Sequence, residues 1–392
     1  MKISEFKKLV SECIDEIKTE SLIEMKIIPI EDFVKNNLNE ADFLGARTRE
    51  VPDDEMSDYL ATSVAGEKSA KDKFEMPYVH SSNIEIQNQD GKKVNLDALK
   101  RMVMTRPTKL LKQNEKLAHS GGKGFVQFHN IGLPALKGLA VDEKTGKFVV
   151  VDTCPGAGAC KVYCYARKGG YVQWKDSSLS QTKVLNFLLN DPAGFSNLLE
   201  QEISALVKSG EKKDIKHVIR WHDAGDFFSP DYLALAYSIA KKFPMVDFYA
   251  YTKMASVAMG NKPSNFLINF SMGAKKEEER KIDFTKTKNS TVVPKEDFID
   301  LLQTEPGKGT KVKYARDEKG RIKFKSDSDL DTLKGRMAKK YNVDKGSILT
   351  YDEMRNVPES DEVGKYNVIV RPGDGDDSAS RKDVLGTYLL IH

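Results

Sequence analysis

Three of the four cysteines in this chain, Cys154, Cys160 and Cys164, fall inside the run TCPGAGACKVYCYARKGG. A disulfide framework wants an even, dispersed set of cysteines. Clustered thiols suit a soft metal or an iron–sulfur centre better, and three protein ligands leave a fourth position open for chemistry. The spacing C-x5-C-x3-C lacks the paired C-x2-C motifs and histidine partners of common zinc modules. Pro155, Gly156 and Gly158 keep the loop out of helix and strand and let backbone amides approach closely. Amides near thiolate sulfur stabilise and tune a bound metal. Tyr163 and Tyr165 flank the last cysteine and can exclude water. The plainer alternative is three unlinked thiols, since cysteine is a common buried residue.

A second constellation is the run RWHDAGD, which supplies Arg220, His222, Asp223 and Asp226. Strand alternation puts Arg220 and His222 on one face and Trp221 on the other. His222 suits a fourth metal ligand or a general acid–base. Asp226 suits a ribose hydroxyl, an amine or a metal. The plainer reading of this run is a polar network that caps the next helix. Lys253, after FYAYT, can hold a carboxylate or phosphate, or be an ordinary surface lysine. Asp374, Asp376 and Asp377 offer oxygen ligands for a hard cation, but no EF-hand spacing is present and an acidic turn is expected. His80, His119, His129 and His217 have no partner pattern and read as structural or surface residues. The SGGKG run over 120–124 is too short for a P-loop and reads as a flexible turn.

The elements that must position these residues are strands alternating with helices from about 121 to 275, an α/β signature. Segments 139–141 and 148–151 flank a turn at 142–147 and predict a hairpin whose second strand runs into the cysteine loop. Helices are expected over 179–190 and 194–209, then a strand at 217–221. Ser229 and Pro230 make a good N-cap and first helical position for a helix running to 242. Strands follow at 246–251 and 266–270. Each strand delivers polar or metal-binding residues at its C-terminal end, the edge where barrels and open parallel sheets carry their sites. The cysteines, His222, Asp223, Asp226, Lys253 and Ser271 are therefore expected to converge.

The fold class expected is α/β, with a partial or complete (β/α) barrel-like core, an N-terminal helical extension and a C-terminal insertion. Residues 1–120 read as the mainly helical extension, with an amphipathic helix over 3–17, a second over 30–38, a polar loop over 45–75, and helical spacing over 95–117 broken by Pro107. Residues 121–280 form the core with the cysteine cluster. Residues 281–345 form a charged insertion with the hairpin KVKYARDEKGRIKFK and a helix near 331–340. Residues 346–392 close the core, with a last apolar strand that places His392 at its end.

Of the 392 residues, 40% are hydrophobic and 31% charged, and the net charge is only +4, so overall charge does not demand a nucleic-acid partner. Two stretches are locally basic: 100–123 holds seven Lys/Arg against one acid, and 308–325 holds eight against two. Either can contact nucleic acid or phosphate, though such runs are usually solvated faces. No segment has the length of a membrane span and no secretory signal is expected. The setting is read as cytoplasmic and reducing, which keeps metal-binding thiols available. The oligomeric state is not legible.

With the motifs TCPGAGACKVYCYARKGGY, IRWHDAGDFFSPDYL, FYAYTK and the strand ending NFS in this order, residues of about 130–275 resemble the phage Gene product 88 family. The resemblance implies a phage or prophage origin, hence the cytoplasm of an infected host cell, and no established reaction. More distantly, three cysteines in the loop after an early strand are similar to the arrangement in radical S-adenosylmethionine enzymes. That similarity implies a [4Fe-4S] cluster on Cys154, Cys160 and Cys164, with S-adenosylmethionine bound at the open iron and cleaved on reduction. Tyr163 matches the aromatic often found before the last cysteine. The spacing here departs from the C-x3-C-x2-C of that superfamily. From residue type and the expected convergence at the strand ends, His222, Asp223, Asp226 and Lys253 are expected in catalysis, and Tyr163, Arg220, Asp226 and Ser271 in cofactor binding.

The expected function is a phage-encoded iron–sulfur protein, a radical S-adenosylmethionine-like enzyme modifying a nucleic acid, nucleotide or peptide. The alternative is a non-enzymatic nucleic-acid- or partner-binding protein with a structural zinc or cluster, His222 closing the site. A zinc hydrolase or deaminase is a weaker third reading, because the H-x-E…P-C-x-x-C signature is absent.

Overall fold

Runs of β-branched and aromatic residues such as FVVVD, KHVIRW, DFYAYT and FLINFS favour strands, and the capped amphipathic stretches between them favour helices. The structure, a computed structural model, describes residues 43–50, 78–80, 85–87, 93–94, 96–113, 117, 120, 126–161, 164, 166, 175–293, 295–302, 312–316, 322–371 and 373–390. The described part of the N-terminal region holds β1 (Thr48–Glu50), β2 (Tyr78–His80), β3 (Glu85–Gln87), β4 (Lys93–Val94) and α1 (Leu96–Met104), which stops short of Pro107. The helices expected over 3–17 and 30–38 lie outside the described residues, as do Tyr163 and His392. Next come β5 (Val126–Ile131), β6 (Lys137–Val141), β7 (Phe148–Asp152), α2 (Lys175–Asn190), α3 (Pro192–Lys213), β8 (Lys216–Trp221) and α4 (Pro230–Lys242). They are followed by β9 (Asp247–Thr252), α5 (Ala255–Met259), β10 (Phe266–Ser271), α6 (Lys276–Glu279), β11 (Asn289–Val293) and α7 (Lys295–Leu302). The chain continues through β12 (Tyr314–Arg316), β13 (Ile322–Phe324), α8 (Asp327–Tyr341), β14 (Ile348–Thr350), α9 (Tyr351–Asn356), β15 (Tyr366–Val370), α10 (Asp377–Ser380) and β16 (Val384–Leu390).

The core is an eight-stranded sheet in the order β14-β15-β16-β11-β10-β9-β8-β5, and every neighbouring pair in it is parallel. This corrects the barrel expectation: β5 and β14 are the outer strands and do not pair, so the sheet is open. The connection order gives the reason. After β11 the chain skips two strand positions to reach β14, then fills back through β15 and β16, so it never circles round to meet β5. The last strand lies inside the sheet, between β11 and β15.

A single crossover handedness requires that this change of direction send the connecting helices to the opposite face, and the packing agrees. One face buries Trp221, Phe248, Phe266 and Phe270 against apolar residues of α2, α3 and α4, and farther along Val293, Ile369 and Leu390 against α7 and α8. The other face carries Tyr351 and Met354 of α9 over Val368 and Val370, and Ala379 of α10 with Phe128, Val218 and Tyr249. Burial on both faces explains why the strands read as near-continuous apolar runs.

The expected hairpin is present as β6 and β7, paired antiparallel with β1 on the far side of β7. Asp142 closes its turn: its amide donates to the Lys147 carbonyl at 2.9 Å and its carbonyl accepts from Gly146 at 2.7 Å. Ser229 caps α4 through Tyr232 N, with Pro230 in the first turn. The basic hairpin forms β12 and β13. Among the described residues, no helix is long and apolar enough to cross a membrane.

Candidate functional site

The cysteine loop leaves β7 and folds back across the ends of the parallel strands. The Asp152 carboxylate accepts the Cys154 amide at 3.3 Å, and the Thr153 hydroxyl donates to the Pro134 carbonyl at 2.7 Å. The Leu136 amide donates to Cys154 Sγ at 3.2 Å, the kind of N–H···S contact that tunes a thiolate. Farther on, the amides of Gly158 and Cys160 both donate to the Gly273 carbonyl, at 3.1 and 3.0 Å, and the Lys275 amide donates to the Gly156 carbonyl at 2.9 Å. The approach is close enough that a Cβ on Gly156 would overlap the Lys253 carbonyl, and one on Gly158 the Ala274 carbonyl. Glycine is required here by backbone-to-backbone contact at the C-terminal ends of β9 and β10.

All three clustered cysteines are half-buried thiols outside any disulfide. Burial pushes the Cys154 thiol up, and the negative charge of Asp226, with smaller contributions from Cys164 and Cys160, pushes it further. These groups therefore share one electrostatic neighbourhood. Among the described residues, no group of three or more His, Cys, Asp or Glu side chains is arranged to hold a single metal ion.

Asp226 is the hub that joins this loop to β8 and β9. Its own amide donates to the Thr153 carbonyl at 2.8 Å. Its carboxylate accepts the Phe227 amide at 2.7 Å, the Lys253 amide at 2.8 Å and the Thr252 hydroxyl. Burial raises its pKa to about 6, against the lowering effect of those donors. Lys253 and Ser271, distant in sequence, meet: Lys253 Nζ donates to Ser271 Oγ and to the Met272 carbonyl at 2.8 Å each, and to the Ser271 carbonyl at 3.2 Å. The ammonium thus bridges the ends of β9 and β10.

His222 departs from the alternation expected for it. It lies one residue beyond β8 at φ +72°, which swings the imidazole away from Arg220 and toward the aromatic core. His222 Nε2 and Trp221 Nε1 both bond the Tyr232 hydroxyl, at 2.7 and 3.1 Å, and the ring stands edge-on to Phe227 at 4.6 Å. Nδ1 is buried with no hydrogen-bond partner. Burial, and after it the Arg220 charge, pushes the imidazole pKa down to about 3, so it is neutral. Asp223 sits elsewhere, with its amide on the Ile131 carbonyl at 3.0 Å and its carboxylate against Gly132 and within electrostatic reach of Lys112.

Arg220 belongs to a different cluster, on the opposite sheet face. Its guanidinium pairs with Asp376 at 2.8 Å, with both side chains buried, and lies over the Tyr251 ring at 4.8 Å. The hydroxyls of Tyr249 and Tyr251 donate to the same carboxylate at 2.9 and 3.0 Å, and the Asp376 amide donates to Ser120 Oγ at 2.7 Å. In the sequence Asp376 reads as part of an acidic turn, or as a ligand for a hard cation, and neither reading includes this buried pair. The equal parity of Tyr249 and Tyr251 on their strand was the available signal that phenols gather on one face. Within the basic stretch 100–123, Arg106 pairs with Asp191 at 2.7 Å, Lys100 lies over Phe148 and Lys112 bonds Ser180, so these cations have partners within the fold.

A family model described as Gene product 88 matches residues 107–344, more than half of the chain. The chain is similar to the Gene 88 protein of Mycobacterium phage D29, 32% identical over 159 residues that cover 38% of this chain and 60% of that protein. It is also similar to the Gene 88 protein of Mycobacterium phage L5, 31% identical over 144 residues that cover 36% of this chain and 54% of that protein. The chain thus spans between half and two thirds of the length of these two relatives. No solved structure matches it. Because the matched span takes in the cysteine loop, the β8 run and both strand ends against which the loop packs, the chain belongs to the Gene product 88 family.

Proposed function

We propose that this chain is an iron–sulfur protein, in which Cys154, Cys160 and Cys164 hold a [4Fe-4S] cluster over the C-terminal edge of the sheet. The observation that carries the reading is one loop bearing three cysteines outside any disulfide, stitched by backbone hydrogen bonds across the ends of β9 and β10. Open parallel sheets bind their ligands at that edge. The donor set fits: soft sulfur ligands, an amide on Cys154 Sγ and glycines where backbone must approach. Three cysteine ligands would leave one coordination position of such a cluster for a small ligand. S-adenosylmethionine is the proposed one, in a radical-type enzyme whose substrate is a nucleic acid, nucleotide or peptide.

Bound and reduced, such a cluster would supply the electron for cofactor cleavage. The chain's own residues position it. Asp226 gathers the amides of Phe227 and Lys253, and the Lys253 ammonium holds the β10 end through Ser271. The competing reading, a structural zinc closed by His222 in a binding protein, has to use Nδ1, because Nε2 is engaged by Tyr232.

The test is purification without oxygen, with iron, sulfide and zinc measured alongside the visible spectrum, for wild type and Cys160→Ala. About four irons and four sulfides per chain, lost in the variant, are expected, followed by S-adenosylmethionine cleavage under reducing conditions. An intact cluster without cleavage removes the radical mechanism. One zinc and no iron, lost in His222→Ala, establishes the competing reading instead.

A further inference from the structure

We propose that Glu279 is a positioning residue of the cysteine loop, holding Cys160 in place through Gly273. The purpose of such a clamp rests on the reading of the loop as a metal cradle, but the clamp itself stands on geometry alone. Helix α6 is only four residues long, with the sequence KEEE, and by composition it looks like a solubilising turn. Its three glutamates have different fates. Glu277 is exposed. Glu278 is buried, and its Oε2 accepts the Ala255 amide at 2.7 Å, just past the end of β9. Glu279 is half-buried, and its Oε1 accepts the Gly273 amide at 2.7 Å, just past the end of β10.

Gly273 is the relay. Its φ of +83° is a conformation that side-chain-bearing residues rarely adopt, and it lets the residue face two ways. Its amide goes to Glu279, and its carbonyl receives the amides of both Gly158 and Cys160. The same segment gives the Lys275 amide to the Gly156 carbonyl. Residues 273–279 therefore grip the cysteine loop at Gly156, Gly158 and Cys160, and the two carboxylates fasten that grip to both strand-end loops. A carboxylate on a backbone amide is a charge-assisted bond, stronger than a neutral one. Glu279 thus sets where the Gly273 carbonyl stands, and through it the backbone of the middle cysteine.

The test uses the metal-free, reduced, full-length protein, so its outcome does not depend on which metal the loop binds. The probe is iodoacetamide, with alkylation of Cys154, Cys160 and Cys164 followed separately by peptide mass spectrometry. In Glu279→Ala, Cys160 should react about tenfold faster than in wild type, as loss of a hydrogen bond to a charged group implies, while Cys154 is unchanged. Glu279→Gln, whose amide oxygen can accept the same N–H, should restore the wild-type rate, and Glu277→Ala should have no effect. An unchanged Cys160 rate in folded Glu279→Ala, or an equal rise at Cys154, overturns the proposal. If Glu279→Ala does not fold, amide hydrogen exchange in the wild type decides. The amides of Gly158, Cys160 and Gly273 must then open together, and exchange at Gly158 and Cys160 far faster than at Gly273 overturns the clamp.

Discussion

The Arg220–Asp376 pair is buried on both sides and is completed by two phenol donors. A buried ion pair gains little over a well-packed apolar alternative, but removing one partner strands the other charge away from water. Asp376→Ala is therefore expected to lower the free energy of unfolding by about 3–5 kcal/mol, measured by urea denaturation followed by circular dichroism. On the proposed cluster reading, the same variant should keep the metal of wild type under native conditions, because the pair lies on the face opposite the Trp221 and His222 cluster. Loss of metal in a still-folded Asp376→Ala would show that the two sites are coupled. The roles of Arg220 and His222 divide at a single dihedral angle: the positive φ of His222 ends the alternation that strand periodicity implies. Nothing in the local run RWHDAG announces that angle, since histidine is not a residue that requires it.

At the scale of elements, the glycines separate by what their neighbours leave room for. Gly158 sits against the Ala274 carbonyl, so Gly158→Ala must displace the loop or the β10 end. On the proposed cluster reading, the expected result is loss of most of the metal found in wild type with the fold retained, checked by metal analysis beside circular dichroism. Gly335 lies inside α8, where an added Cβ would meet Lys345 side-chain atoms only at 3.9 and 4.0 Å. Gly335→Ala should therefore stabilise the protein by about 0.5–1 kcal/mol, read as a higher midpoint of thermal unfolding. Elements made by local chemistry were legible in the sequence. The β6–β7 hairpin, the Ser229–Pro230 start of α4 and the β12–β13 hairpin follow from alternation, capping and turn residues. Their counterpart α6 was not legible, because four residues carry no periodicity and its function lies in what its carboxylates reach.

Across the whole molecule, β5 is an outer strand whose partner in the large sheet is β8, and a histidine pair spans the two. His129 Nε2 and His217 Nδ1 lie 3.1 Å apart. Burial, then the nearby His217 and Lys109 charges, push His129 down to about 4, and burial lowers His217 as well. His129 is neutral in the folded chain at pH values where the unfolded chain, near pKa 6.5, begins to bind protons, and the His217 shift runs in the same direction. The unfolded state then holds more protons, so stability falls as the pH drops from about 6.5 toward 4, and this contribution is absent above 6.5. Denaturant melts at stepped pH should show that slope in wild type and a shallower one in His129→Gln. An unchanged slope would assign the acid sensitivity to other groups.

The sequence by itself determined the thiol cluster, the strand–helix alternation and the edge at which polar residues collect, because each is written in local spacing. It could not determine whether the sheet closes. Closure depends on strand order, and strand order was decided when β14, β15 and β16 filled back toward β11 and β16 took an interior position. Nor could it bring Arg220 to Asp376 or Glu279 to the cysteine loop. Each of these contacts joins segments brought together by parallel pairing or by chain crossovers, and no local preference encodes such pairings. Only the packed sheet, with both faces buried and its strand ends aligned, fixes them.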